Sequence, residues 1–151
     1  MITKPIPYGR QHITDEDIQC VIDALKSDYL TQGPKIKEFE EAFASYVGCK
    51  YAIAVNNATA ALHLAATALD VNSGDKVIVT PLTFAASANC IRFRGGEVVF
   101  CDVEEDTYLM DIKKLSRLLS QSPKGTYKGI VLVDFAGYPA NLEAFRQLAD
   151  E

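Results

Sequence analysis

The sequence contains no tryptophan, only two histidines and no pair of cysteines at C-x-x-C spacing. The four cysteines are therefore predicted to be reduced, mostly buried side chains of a cytoplasmic protein, and no metal site is expected. A net charge of −5 gives no basic field for nucleic acid. No apolar run approaches the roughly 20 residues that a membrane span needs, and the first residues lack a signal-peptide core.

The composition is that of an ordinary globular protein, with 48% hydrophobic and 23% charged residues in 151. Two helices are predicted first. Thr14 and Asp17 form an N-terminal capping pattern for a helix over 15–26. Pro34 is suited to the first turn of a second helix, which Gly48 ends.

From residue 51 onward, short apolar strands alternate with helices. Strands are predicted at 51–55, 76–80, 97–101 and 129–133, and helices at 58–69, 84–93, 112–119 and from 142 to the end. This alternation predicts an α/β fold with a mostly parallel sheet flanked by helices. The last helix has no C-cap, so the sequence is expected to be cut within this helix.

In such a sheet, ligands bind beyond the carboxyl ends of the strands. The segment Asn57–Thr59 follows the first predicted strand, where free N–H groups at a helix start and a threonine hydroxyl favour an anion. The alternative is that Asn57 is only an N-cap and the following alanines only pack the helix. The sequence lacks G-x-G-x-x-G, so a dinucleotide site is not expected.

Two further strand ends carry chemically useful residues. Phe84 follows the second strand, where an aromatic ring can cover a flat ligand, although its type and position are more typical of a core residue that anchors its helix. Asp134 follows the fourth strand, where a carboxylate serves a cationic ligand or caps the next turn.

Five segments of the chain together resemble the DegT/DnrJ/EryC1/StrS family of nucleotide-sugar aminotransferases. In order, they are Ile6–Arg10, Leu30–Pro34, Asn57–Leu62, Pro81–Asn89 and Val133–Gly137. The pairing of Leu-Thr-Gln-Gly with Val-Asp-Phe-Ala-Gly is most similar to the branch that makes pseudaminic acid precursors. That branch is implied to act on UDP-4-keto-6-deoxy-N-acetyl-β-L-altrosamine, with glutamate as amino donor.

The resemblance implies the fold type I aminotransferase architecture of a pyridoxal 5'-phosphate (PLP) enzyme that works as a homodimer. Residues 1–151 would be the truncated N-terminal part of its PLP-binding large domain, ending within a helix. Ala58, Thr59 and Ala60 would hold the cofactor phosphate, and Phe84 would stack on its ring. The sugar-nucleotide site would be lined by Tyr8, Asp28, Tyr29, Leu30, Thr31 and Asn57. Asn57 stands where relatives often have serine. Asp134 stands where many have histidine, which leaves it as a further candidate site residue.

The resemblance also implies that the catalytic Schiff-base lysine lies beyond residue 151, so this chain alone is expected to be inactive. Some relatives with this fold replace that lysine with histidine and dehydrate the sugar, which leaves a sugar dehydratase as an alternative. A non-catalytic oligomerisation or regulatory module is a second alternative.

Overall fold

The computed structural model describes residues 9–151. The chain divides into two compact units, Met1–Ala54 and Val55–Glu151. Within the described residues, no helix is long and apolar enough to cross a membrane.

The first unit contains two helices, α1 (Asp15–Lys26) and α2 (Pro34–Val47). Thr14 Oγ1 accepts the Asp17 N–H at 3.3 Å, and Asp17 Oδ2 accepts the Thr14 N–H at 2.7 Å, so the predicted capping pattern is confirmed. Gly48 ends α2 in the left-handed region with φ +72°, where a side chain would be strained. Local sequence signals thus determine both helices.

The second unit is a three-stranded parallel sheet with helices, which confirms the predicted α/β class. Its elements are α3 (Ala58–Ala68), β1 (Lys76–Val79), α4 (Ala86–Phe93), β2 (Glu97–Phe100), α5 (Ile112–Ser120), β3 (Tyr127–Val131), a 3₁₀ turn (Phe135–Gly137) and α6 (Leu142–Asp150). The strand order is β2-β1-β3, so the connection from β2 to β3 passes over β1.

Two strand predictions need correction. Residues 51–55 form no strand in the structure, because strand pairing needs a neighbouring backbone and no described strand pairs with them. The Ala54 N–H instead donates to Glu40 Oε1 at 2.8 Å. The fourth predicted strand is shifted to Tyr127–Val131, because its pairing with β1 begins at Lys76 and ends at Val79.

Side chains alternate across the sheet and form two apolar cores. Val77 and Val79 of β1 pack on one face with residues of α3 and α4. Ile78 packs on the other face with Leu115 of α5 and Phe145 of α6. The sheet is therefore the middle of three layers, with β1 as its buried centre.

Gly129 allows α3 to lie close to β3. A Cβ built at Gly129 would come within 2.6 Å of Leu69 Cδ2, at the C-cap of α3. Real Cβ atoms do not approach so closely, and a glycine inside a strand commonly marks such an approach.

Replacing Gly129 with alanine is expected to lower the free energy of unfolding by about 1–3 kcal/mol, because the added methyl pushes Leu69 off the sheet. Urea denaturation followed by far-UV circular dichroism measures the change. Lys128→Ala, at an exposed position of the same strand, is the matched control and should stay within about 0.5 kcal/mol. A Gly129→Ala chain as stable as this control would contradict the packing argument.

Candidate functional site

A crevice is expected at the carboxyl ends of β1 and β3. These strands are neighbours, but the helices that follow them lie on opposite faces of the sheet. The α4 helix packs with Val77 and Val79, whereas α6 packs with Ile78. Connections that leave adjacent parallel strands in opposite directions open a crevice between them, and ligands of α/β proteins bind at such points.

The N-terminus of α3 points to this same edge of the sheet. At its other end, Leu69 lies against Gly129, the middle residue of β3. Arg94, at the C-cap of α4, donates from Nε to the Val71 carbonyl at 3.1 Å. The C-termini of α3 and α4 thus meet at the amino edge, so both helices begin at the carboxyl edge.

The start of α3 has free donors. Asn57 is the N-cap, and its Oδ1 accepts the Ala60 N–H at 2.8 Å. This bond uses the N–H group of Ala60, which is one of the three residues predicted to hold a phosphate. Among residues 9–151, the N–H groups of Ala58 and Thr59 and the Thr59 hydroxyl remain for an anion, and the N-terminal end of the helix dipole favours negative charge.

Phe84 is not a core residue. The prediction that its ring anchors the following helix in the core is therefore wrong. The side chain is 78% exposed. Its backbone carbonyl accepts the Ser87 N–H at 3.0 Å, while the hydroxyls of Thr83 and Ser87 lie 2.8 Å apart. The turn after β1 is therefore held by hydrogen bonds, and the aromatic ring is left available for a flat ligand.

Asp134 caps the turn after β3. Its Oδ1 accepts the Ala140 N–H at 2.9 Å. Among residues 9–151, Oδ2 of the same carboxylate has no hydrogen-bond partner, so the two interpretations of this residue are compatible. One oxygen organises the turn, and the other remains for a ligand.

Thr80 is a feature that the sequence did not single out. It directly follows β1 and is 1% exposed, yet its Oγ1 has no hydrogen-bond partner among the described residues. Alternation along the strand puts Thr80 on the same face as Ile78. A buried hydroxyl without a partner costs about 1–3 kcal/mol. Thr80 lies at the carboxyl edge of β1, so this edge holds a buried polar group that packing alone does not explain.

The carboxylate after β2 is paired with a lysine. Lys114 Nζ donates to Asp102 Oδ2 at 2.8 Å, and this bond holds the pKa of Asp102 below its ordinary value. The same bond raises the pKa of Lys114, which stays protonated. Asp102 is therefore ionised and held in an exposed ion pair with Lys114.

The thiols add no nucleophile to the crevice. Cys90 and Cys101 are buried, and burial raises the pKa of each. Cys20 and Cys49 are exposed, so the expectation of mostly buried cysteines holds for only two of the four.

The predicted sugar-nucleotide residues are divided between the units. Asn57 lies at the crevice of the second unit, whereas Asp28, Tyr29, Leu30 and Thr31 form an exposed loop between α1 and α2 in the first. Gly33 follows this loop and lies close to Tyr29. A Cβ at position 33 would come within 2.8 Å of the Tyr29 Cβ, so the close approach needs a glycine. Tyr8 lies outside the described residues.

Solved structures share this architecture. The Streptococcus pneumoniae sugar aminotransferase Spr1654 in its PLP form superposes with a TM-score of 0.84 at 35% identity, over 94% of this chain and 35% of that one. Helicobacter pylori PseC, an aminotransferase involved in the biosynthesis of pseudoaminic acid, gives 0.83 at 30% identity, over 97% of this chain and 39% of that one. The fold is therefore that of PLP-dependent aminotransferases.

Sequence relatives agree with the structures. The UDP-4-amino-4,6-dideoxy-N-acetyl-beta-L-altrosamine transaminase of Campylobacter jejuni serotype O:2 is 42% identical over 95% of this chain and 37% of its own length. The spore coat polysaccharide biosynthesis protein SpsC of Bacillus subtilis is 40% identical over 95% and 36%, so the chain spans little more than a third of these relatives. The DegT/DnrJ/EryC1/StrS aminotransferase family model matches residues 11–151, and the chain belongs to that family.

Proposed function

We propose that this chain supplies the phosphate-binding and ring-stacking part of the PLP site of a nucleotide-sugar aminotransferase. The observation that carries the proposal is the geometry of the carboxyl edge. The N-terminus of α3 and the exposed Phe84 both lie at this edge, where the crevice between β1 and β3 is expected. Related structures have been solved in PLP and PMP forms, which agrees with a cofactor of this shape and charge.

The phosphate would be held by the N–H groups of Ala58 and Thr59 and by the Thr59 hydroxyl. The Ala60 N–H would join them once the Asn57 side chain turns from its capping position toward the sugar nucleotide. An N-cap contributes about 1 kcal/mol, so a charged phosphate that accepts hydrogen bonds can replace it.

Phe84 would cover one face of the cofactor ring, and Asp134 would offer Oδ2 to a donor group of a ligand in the crevice. When bound, the cofactor supplies the electron-withdrawing ring that carries an amino group from an amino-acid donor to a keto sugar. This chain's residues bind and orient it.

The substrate of the whole protein is proposed to be a UDP-4-keto-6-deoxy sugar, with glutamate as donor. The similarity to the Campylobacter transaminase and to PseC supports a place in pseudaminic acid or another surface-polysaccharide pathway. Tyr8 and the exposed loop Asp28–Thr31 are proposed to contact the sugar nucleotide. We further propose a cytoplasmic homodimer in which the 151-residue chain alone is inactive.

Binding of pyridoxamine phosphate to the purified chain tests the cofactor site, because this form has no aldehyde to react with surface lysines. Phe84→Ala is expected to weaken binding about 2- to 13-fold, the equivalent of an aromatic contact worth about 0.5–1.5 kcal/mol. Thr59→Val is expected to weaken it about 10-fold or more, because a hydrogen bond to a charged group is lost. Equilibrium dialysis measures both changes.

Two controls accompany this experiment. Pyridoxamine, which lacks the phosphate, should bind much more weakly than its phosphate ester. Phe93→Ala removes an exposed ring at the far end of α4, near the amino edge, and should leave affinity unchanged. Equal binding of the two ligands, or equal effects at Phe84 and Phe93, would overturn the proposed site.

A further inference from the structure

An aromatic contact joins the loops that follow β2 and β3. The rings of Tyr108 and Phe135 lie 5.6 Å apart between centroids, at an interplanar angle of 56°. These strands are not neighbours, because β1 lies between them. The loop after β2 must therefore pass from one side of β1 to the other to bring Tyr108 against the turn that begins at Asp134.

The loop that carries Tyr108 is held firmly. Val103 and Met110 form an antiparallel bridge, and the Glu104 N–H donates to the Leu109 carbonyl at 2.9 Å. Leu109 and Met110 are buried in the same core as Ile78. The backbone thus leaves Tyr108 little freedom.

Tyr108 itself has a strained backbone. Its φ is +59°, in the left-handed region that costs a residue with a side chain about 1–3 kcal/mol. Such strain persists only where surrounding contacts impose it, and it is concentrated at functional sites. The side chain is 50% exposed, so core burial alone does not account for the conformation.

Phe135, the aromatic partner of Tyr108, lies in the turn that begins at Asp134. Phe135 follows Asp134 directly, and Ala136 is also left-handed, with φ +54°. The turn is closed by the bond from the Ala140 N–H to Asp134 Oδ1. A ring that fixes Phe135 therefore limits the movement of the neighbouring carboxylate.

We propose that Tyr108 is a positioning residue. Its ring packs on Phe135 and holds the turn so that Asp134 Oδ2 stays at the crevice, where it accepts a hydrogen bond from a cationic amine or another donor of the bound ligand. This inference rests on the proposed function, since it assigns Asp134 a ligand within the same crevice. The positioning and the ligand contact are separable by experiment.

Amide hydrogen exchange at Ala140 tests the positioning, because this N–H is bonded to Asp134. Tyr108→Phe keeps the ring and should leave exchange unchanged. Tyr108→Asn and Tyr108→Gly lose the ring but tolerate the left-handed backbone, and each should speed exchange at Ala140 about 10-fold or more.

The Cys101 N–H, bonded to the Val79 carbonyl at 2.9 Å, reports opening of the sheet as a whole. Asp70→Gly relaxes another left-handed residue, with φ +55°, and should not affect Ala140. Faster exchange at Ala140 but not at Cys101, in the ringless variants only, supports the proposal. No change at Ala140, or equal acceleration at both amides in Tyr108→Asn and Tyr108→Gly, overturns it.

The ligand contact is tested with pyridoxamine phosphate. Asp134→Asn and Tyr108→Asn are each expected to weaken its binding about 10-fold, whereas Tyr108→Phe should not. If Asp134→Asn and Tyr108→Asn both bind the probe as tightly as the unaltered chain, the proposed ligand contact is overturned. If the unaltered chain also fails to bind this probe, the proposed function fails, while the exchange result still decides the role of Tyr108.

Discussion

The 151-residue chain, incubated with PLP, a UDP-4-keto-6-deoxy sugar and glutamate, is expected to show no turnover above background. Aminotransferases of this kind need one lysine that reacts with the cofactor and then moves a proton. We propose, from the family resemblance, that this lysine lies beyond residue 151. No lysine of this chain lies in a matching motif; they are Lys4, Lys26, Lys35, Lys37, Lys50, Lys76, Lys113, Lys114, Lys124 and Lys128.

For three of these lysines, the structure gives a physical reason why they are unsuited to react with the cofactor. Lys76 begins β1 and Lys128 is in the first half of β3, so both lie toward the amino edge, away from the crevice. Lys114 is held by Asp102, which raises its pKa and keeps it in the protonated, non-nucleophilic form.

Borohydride trapping followed by peptide mapping provides the measurement, alongside an assay of amino-group transfer. Only scattered, substoichiometric labelling of surface lysines is expected. The full-length Campylobacter transaminase, treated in parallel, is the positive control for the trapping chemistry. One stoichiometrically trapped lysine in this chain, or turnover above background, would show that the catalytic residue has been misplaced.

Leu115→Ala is expected to lower the free energy of unfolding of this chain by about 2–5 kcal/mol. Leu115 is 0% exposed and packs from α5 into the core that contains Ile78 and Phe145. Its truncation removes buried apolar contacts and leaves a cavity that close-packed neighbours cannot fill. Since a domain is stable by only about 5–15 kcal/mol, a large part of the stability would be lost.

Urea denaturation followed by circular dichroism measures this effect. Leu142→Ala is the matched control, because it deletes the same atoms at a position that is 63% exposed. Its effect is expected within about 0.5 kcal/mol. Equal losses for the two substitutions would mean that the core on this face of the sheet is not packed as described.

Local signals in the sequence were sufficient for most elements. The bonds between Thr14 and Asp17 involve residues three apart, and the left-handed Gly48 is a property of one residue. Helix α2 likewise begins at Pro34, as its fixed φ favours. Such features depend on neighbours along the chain, so they can be predicted without knowledge of the fold.

Strand pairing could not be predicted in the same way. Residues 51–55 have the composition of a strand, but a strand also needs a partner backbone, and none of the described residues provides one. The bounds of β3 depend on where β1 begins and ends. Pairing connects residues far apart in sequence, and composition alone does not specify it.

The candidate site, like the fold, was predicted in part from the sequence and in part only from the tertiary structure. The sequence by itself placed Asn57, Thr59, Phe84 and Asp134 at strand or helix ends, and the family resemblance named their chemistry. It could not show that Phe84 is exposed or that Asp134 uses only one oxygen in its turn, because exposure and hydrogen bonding depend on the packed chain.

Only the tertiary structure revealed the residues that surround this site. Thr80 is notable because its hydroxyl is buried without a partner, and Tyr108 because a left-handed backbone brings its ring to Phe135. The contact of Tyr108 with Phe135 depends on the strand order β2-β1-β3, because the loop after β2 has to pass β1 to reach the turn after β3. Strand order is set by contacts between distant segments. Local sequence therefore determined the helices and most of the strands, whereas packing determined the strand pairing and which side chains meet.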